Sequence, residues 1–257
     1  MNIKIIVATH KAYVMPENDI YLPVQVGAAL NEPIAGYTPD NTGQHISAQN
    51  PFYNELTALY WAKYHLADQD VVGLAHYRRY LGQRASHDLR DILDAEQIAM
   101  LLSDHDVIVP KKRHYYIESQ EQHYLNAHAA LPYETMLAVV AEKYPQFAAA
   151  TTQMRTSKAA HLFNMSIMKQ AQFQAYTDFV FDVLGEVAKR VDLDQYTGQD
   201  RRALGFLGER LMDVWLLGAH QNYVEVPLVQ TERTNWLDKG YQFLKRHFGK
   251  NGGKTHF

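Results

Sequence analysis

Cysteine is absent from the 257 residues. Disulfides, thiolate metal sites and a cysteine nucleophile are therefore excluded. Long hydrophobic runs are absent too, and no stretch reaches the length that spans a bilayer. The opening "MNIKIIVATHK" has an apolar run too short for a secretory signal, and no small-residue cleavage site follows it. A soluble, cytoplasmic enzyme is the expectation. Charge of one sign is scarce: the net charge is only -3. A general nucleic-acid binder carries a strong basic excess, so nucleic acid is not expected as a partner, although a local basic site stays open. Neither G-x-x-x-x-G-K nor a G-x-G-x-x-G after the first strand is present, so any phosphate must be held by side chains rather than a glycine nest.

What is present describes an ordinary globular chain, with 47% apolar and 21% charged residues. The length suits one large domain, or one domain with an appendage. Short apolar, β-branched runs predict strands at residues 3–8, 70–75 and 106–110, with others at 161–169 and 224–228. Residues 13–50 are rich in Pro, Gly, Asn and Asp and predict a long ordered loop, a feature that is usually functional. Asn50-Pro51 is expected as an N-cap followed by proline at the first helical position. Further helices are expected at 91–102, 118–128, 133–144, 172–191 and 209–217, the last stopped by Gly218. Strands alternating with helices imply an α/β sheet, whose ligands bind beyond the carboxyl ends of the strands.

Three predicted strands end in polar clusters: Thr9-His10-Lys11, His76 to Arg79, and Lys111 to Arg113. Arginine offers a planar fork of donors suited to phosphate oxygens. For an isolated Arg-Arg pair, a surface ion-pair network is the commoner explanation. The apolar strand before Arg78 and Arg79 brings the two explanations level. The 13 histidines contain no H-E-x-x-H arrangement. His76 and His128 therefore suit hydrogen bonding or proton transfer better than metal ligation. Glu209 falls where a helix is expected to begin, and a carboxylate in a first turn is favoured by the helix dipole. Helix-start stabilisation and a general-base role both remain open for it, and Glu55 carries the same ambiguity. The end of the chain, "WLDKGYQFLKRHFGKNGGK", is amphipathic and basic. It suits either an anionic membrane surface or packing on the domain.

Six ordered blocks carry a resemblance: "ATHK", "DNTGQHISAQNPFYNELTALYWAKYH", "VVGLAHYRRYL", "DVIVPKKRHY", "FNMSIMK" and "GFLGERLMDVWL". Together they resemble a bacterial capsular and exopolysaccharide glycosyltransferase family, long catalogued as a domain of unknown function. The resemblance runs from about residue 3 to about residue 230. It implies a GT-A-like, Rossmann-type mixed sheet flanked by helices, and a nucleotide-sugar donor. Some members resemble galactofuranosyltransferases, which makes UDP-galactofuranose a candidate.

Most GT-A enzymes carry an Asp-x-Asp motif for a divalent metal, and here "HYRR" stands in its place. Guanidinium groups can take over that electrostatic task. No cofactor is expected, and metal independence is favoured. A glycosyltransferase domain is expected over 1–230, and a helical, basic appendage over 231–257 that lies outside the resemblance. The family's HYRR block is carried by His76 to Arg79 and its E-R pair by Glu209 and Arg210, and Thr9, His10, Lys11, Arg78, Arg79 and Arg210 are expected on the donor nucleotide and diphosphate. Asn50, Tyr53, Glu55, Tyr77, His128 and Asn164 fall to the donor sugar or acceptor. The base is Glu209 first and His76 second. The expected acceptor is a lipid-linked or oligosaccharide hydroxyl, with peripheral contact at the cytoplasmic membrane face. A non-catalytic nucleotide- or glycan-binding module, and a phosphoester hydrolase using the same basic cleft, are the alternatives.

Overall fold

The computed structural model describes residues 1–232. Beyond its first two residues, the expected appendage over 231–257 lies outside the described residues.

Strands β1 (Ile3–Thr9), β2 (Tyr21–Gln25), β3 (Thr38–Pro39), β4 (Val71–His76) and β5 (Arg79–Leu81) come first. They are followed by β6 (Val107–Pro110), β7 (Arg113–His114), β8 (Ala159–Ala160), β9 (Ser166–Lys169), β10 (Tyr223–Val226) and β11 (Leu228–Gln230). The helices are α1 (Asn50–Tyr53), α2 (Leu56–His65), α3 (Ala95–Asp104), α4 (Gln120–Ala127), α5 (Ala130–Lys143), α6 (Ala148–Thr156), α7 (Gln170–Arg190) and α8 (Ala203–Gly218). The main sheet runs β10-β6-β9-β4-β1-β2-β3, with β5 and β11 attached beyond β4, while β7 and β8 form a separate ribbon. Within the row from β10 to β3 every pairing is parallel except those of β9, which is antiparallel to both β4 and β6.

A sheet of this kind is buried on both faces, so its strands are apolar at nearly every position. Along β1, Ile6 and Ala8 enter a core shared with α2, α5, α7 and α8. Ile5 and Val7 enter a second core with Ile98 and Leu102 of α3. The reversal of β9 has a consequence for function. Its first residue, Ser166, pairs with Leu74 near the end of β4. The chain entering β9 therefore arrives at the same sheet edge where β1 and β4 end.

Several sequence expectations need correction. The loop over 13–50 contains β2 and β3, and Pro23 sits inside β2 opposite Val7. Proline removes a ladder donor and masks such a strand. Asn50 is the first residue of α1 rather than its cap, and the helix halts at Asn54, whose φ is 52°. The Asn50 side chain closes this kink by donating to the Asn54 carbonyl at 2.8 Å. The strand expected over 161–169 is broken by positive φ at Phe163 and Asn164. Pro227 separates β10 from β11. Finally, α8 begins at Ala203, so Glu209 lies in its second turn and the helix-start explanation for it falls away.

Buried Asp40 explains why the Pro- and Gly-rich region is ordered. Its carboxylate accepts the N–H groups of Gly27 and Ala28, each at 3.0 Å, and the Ser47 hydroxyl. Charge-assisted hydrogen bonds contribute about 1.5–3 kcal/mol each, and removal of the carboxylate strands their donors. Asp40→Ala is expected to lower unfolding free energy by about 2–4 kcal/mol in urea denaturation.

Candidate functional site

The carboxyl edge of the sheet opens into a cleft of about 400 Å³. Thr9 ends β1 and His76 ends β4, and the register sets His76 beside Ala8. Thr9 is buried, and its hydroxyl donates to the Lys11 carbonyl at 2.6 Å, which turns the chain away from the sheet. Beyond His76 the chain reverses immediately, because Arg79 pairs back onto His76. That tight reversal places Tyr77 and Arg78 at the mouth.

One wall is cationic. His10, Arg78, Arg79 and Arg202 all line it. Burial, then Lys11, Arg78 and Arg202, push the His10 imidazole below its usual range. Burial and the neighbouring Arg78 likewise lower the Arg79 guanidinium. The Arg78 guanidinium lies 4.9 Å from the Tyr77 ring centre and pairs with Glu232 at 2.9 Å. Arg79 lies 4.4 Å from the centre of the Phe163 ring. Among the described residues, three buried donors of the cleft lining have no hydrogen-bond acceptor: Arg79 Nε, Arg210 Nε and Tyr115 Oη. An unpaired buried donor costs about 1–3 kcal/mol, and native structures rarely leave one without a reason.

The floor is a turn with two consecutive positive-φ residues, Phe163 at 73° and Asn164 at 53°. The conformation costs Phe163 about 1–2 kcal/mol, whereas asparagine tolerates it. Three anchors outweigh that cost. Glu209 Oε1 accepts from the Phe163 N–H at 2.7 Å. His76 Nε2 lies 2.7 Å from the Phe163 carbonyl. That carbonyl only accepts, so Nε2 carries the proton. Glu55 Oε1 accepts from Asn164 Nδ2 at 2.7 Å, and the same amide nitrogen reaches the Gly205 carbonyl at 3.0 Å. Gly208 leaves room for this arrangement, since a Cβ there would stand 2.7 Å from Asn164 Oδ1.

Two carboxylates and an imidazole thus converge on one turn. Glu209 Oε2 also accepts from Arg210 Nη1 at 2.7 Å. Burial nevertheless dominates and raises the Glu209 carboxyl above its ordinary value, with Glu55 adding to the rise. Burial holds His76 below the usual histidine range, so the ring is neutral near neutral pH. Glu55 Oε1 lies 4.0 Å from His76 Nε2.

Of the residues singled out in the sequence, most meet in this cleft. Thr9, His10, Tyr77, Arg78 and Arg79 form its strand-end side. Asn50, Glu55, His76, His128, Glu209 and Arg210 form the rest. The His128 and Phe206 ring centres lie 4.2 Å apart with their planes tilted by 33°. Three others lie outside the lining. Lys11 is exposed, 5.5 Å from the Tyr77 ring centre. Tyr53 is a core residue packed near Phe181. Asn164 is buried behind the wall as a strut for Glu55. Residues not singled out include Asn54, Tyr115, Phe163, Arg202 and Phe206. The basic pair Arg201-Arg202 before a Gly-containing helix was a usable signal for one of them. Nothing in local composition marks Phe163.

Asn164→Ala removes two hydrogen bonds and leaves an alanine in the left-handed region. The expected cost is about 2–4 kcal/mol in urea denaturation. Asn164→Asp, which sets a second carboxylate against Glu55, is expected to cost at least as much.

A profile of the family described as "Domain of unknown function (DUF4422)" matches residues 4–221. Among solved structures, the chain is similar to the apo structure of WbbM, a bifunctional glycosyltransferase. The TM-score is 0.81 at 25% identity, over 91% of this chain and 46% of that one. The chain therefore spans less than half the length of that protein. The mixed, mostly parallel sheet flanked by helices is the shared feature. No curated protein matches the chain.

Proposed function

The chain belongs to the DUF4422 family, and from its cleft we propose that it transfers a glycosyl group from a nucleotide sugar to a hydroxyl acceptor. The observation that carries this reading is the set of unpaired buried donors beside two carboxylates, at the strand ends where α/β sheets bind ligands. The similarity to a glycosyltransferase supports the same class of reaction.

In this reading the donor diphosphate lies against Arg78 and Arg79, with Arg202 adding positive charge. Thr9 and His10, with Lys11 beyond them, border the nucleotide. Tyr77, Asn50, Glu55 and His128 border the sugar and acceptor. An acceptor hydroxyl attacks the anomeric carbon, its proton passes to the Glu209 carboxylate, and the bond to the diphosphate oxygen breaks. The nucleoside diphosphate leaves with that electron pair, and the anomeric configuration inverts. Guanidinium groups already aligned at the cleft wall stabilise the developing charge without reorganisation. Arg210 orients Glu209 through Nη1, and its unpaired Nε is proposed to reach the diphosphate as well. His76, neutral and tied to Phe163, sets the floor and is the second choice for the base. UDP-galactofuranose is the first donor to test, and a lipid-linked or oligosaccharide hydroxyl of a cell-surface glycan is the proposed acceptor.

Glu209→Gln keeps the size and removes the base, and its amide keeps one of the two accepted hydrogen bonds, from Phe163 or from Arg210. With a UDP-sugar screened by UDP release, kcat is expected to fall about 10²–10⁴-fold. UDP affinity, read by calorimetry, should stay within about threefold, because the change lies off the diphosphate. Loss of UDP binding together with turnover would assign Glu209 to the donor instead. The carboxyl titrates above its ordinary value and must be ionised to act. Activity is therefore expected to fall as pH drops through a midpoint above 4.5, and that limb should vanish in Glu209→Gln. The reaction is proposed to be metal-independent. EDTA is expected to leave the rate within about twofold, and loss restored by manganese or magnesium would contradict the arginine assignment.

A further inference from the structure

The segment joining β6 to α4, "KKRHYYI" at 111–117, contributes Arg113 and Tyr115 to the cleft and sends its other side chains outward. Lys111, Arg113 and His114 are exposed, and Lys158 stands exposed beside them, its carbonyl accepting from the Tyr115 N–H at 2.8 Å. At Tyr116 the backbone has φ 62°, and the Ile117 N–H returns to the Tyr115 carbonyl at 2.8 Å. This is a three-residue turn of the strained, positive-φ kind. The strain gains no burial, because Tyr116 is 83% exposed and Ile117 is 53% exposed. Strain that projects an apolar pair into water calls for an external partner.

Charge decides which partner. No acid lies between Val107 and Ile117. The nearest acids in the chain and across the sheet are already engaged. Glu118 accepts from Asn126 at 3.0 Å and meets His123 Nδ1 at 3.0 Å. Glu225, which pairs with Val109, meets His161 at 3.2 Å. A neutral glycan has use for a flat ring but none for isoleucine and lysines. A small soluble anion has use for lysines but none for isoleucine. Both sets are used at once by an anionic bilayer surface, where rings and aliphatic groups enter the headgroup boundary and lysines reach its charges.

We propose that residues 111–117 are the surface by which this protein sits on an anionic lipid bilayer, with the Arg113–Tyr115 end of the cleft held next to the membrane. The placement stands on the segment alone and does not require the glycosyl-transfer reading. If that reading holds, the acceptor reaches the cleft from the lipid side.

Co-sedimentation of the full chain with phosphatidylcholine vesicles, with and without phosphatidylglycerol, tests it. The wild-type chain is expected to bind only the phosphatidylglycerol vesicles, and less so as salt rises. Lys111→Glu with Lys112→Glu should weaken binding at least about tenfold. Tyr116→Ser with Ile117→Ser should weaken it about three- to tenfold, with the salt dependence kept. Circular dichroism melts should be unchanged in both, and turnover of a water-soluble acceptor should be unaffected. Absence of wild-type binding, or wild-type binding by either double variant, overturns the proposal.

Discussion

The left-handed turn at Phe163 and Asn164 is the constraint on which the cleft depends. Phe163 adopts a backbone that its side chain disfavours by about 1–2 kcal/mol, and Asn164 one that asparagine tolerates. Two charge-assisted hydrogen bonds, from the Phe163 N–H to Glu209 and from the Asn164 amide to Glu55, together contribute more than the turn costs. The relation works in both directions. The carboxylates hold the turn, and the turn holds the carboxylates at fixed places under the arginine wall. His76 adds a third tie from the end of β4. Strand β9 then leaves the turn antiparallel to its neighbours, so one reversal of direction supplies both the sheet's odd strand and the site's floor.

The electrostatic design follows from the same geometry. A chain with a net charge of -3 nonetheless sets Arg78, Arg79, Arg113, Arg202 and Arg210 around the cleft where its parallel strands end. Half-buried Arg79 packs on Phe163, and burial and then its neighbour Arg78 lower its guanidinium, while Glu232, Glu209 and Glu55 work the other way. Glu209 is raised by burial even though Arg210 and a backbone N–H favour its ionised form. The site therefore sets a wall of arginines beside a carboxylate that burial inclines to take a proton, the combination on which the proposal of glycosyl transfer rests.

Much of this was legible in the residues. The apolar runs of β1, β4 and β6 and the polar clusters behind β1 and β4 announced a ligand edge. Eleven of the fourteen residues singled out line one cleft. What stayed hidden has physical causes. Pro23 disguised β2 as loop, and the kink at Asn54 depends on space left by Gly205 on a distant helix. Composition does not signal a left-handed Phe-Asn pair, because tertiary anchors rather than local preference hold it. Tyr53 and Asn164 share sequence blocks with cleft residues but support them from behind, a distinction that only packing makes.

Product analysis tests the central claim most directly. The protein is incubated with UDP-galactofuranose and other UDP-sugars in the presence of an oligosaccharide acceptor, and sugar, nucleotide and extended glycan are quantified together. The account predicts extended glycan and UDP in equal amounts, with the new linkage inverted relative to the donor. Free sugar and UDP without extended glycan would make the cleft that of a hydrolase. Tight UDP binding with no product from any donor would make it a binding module.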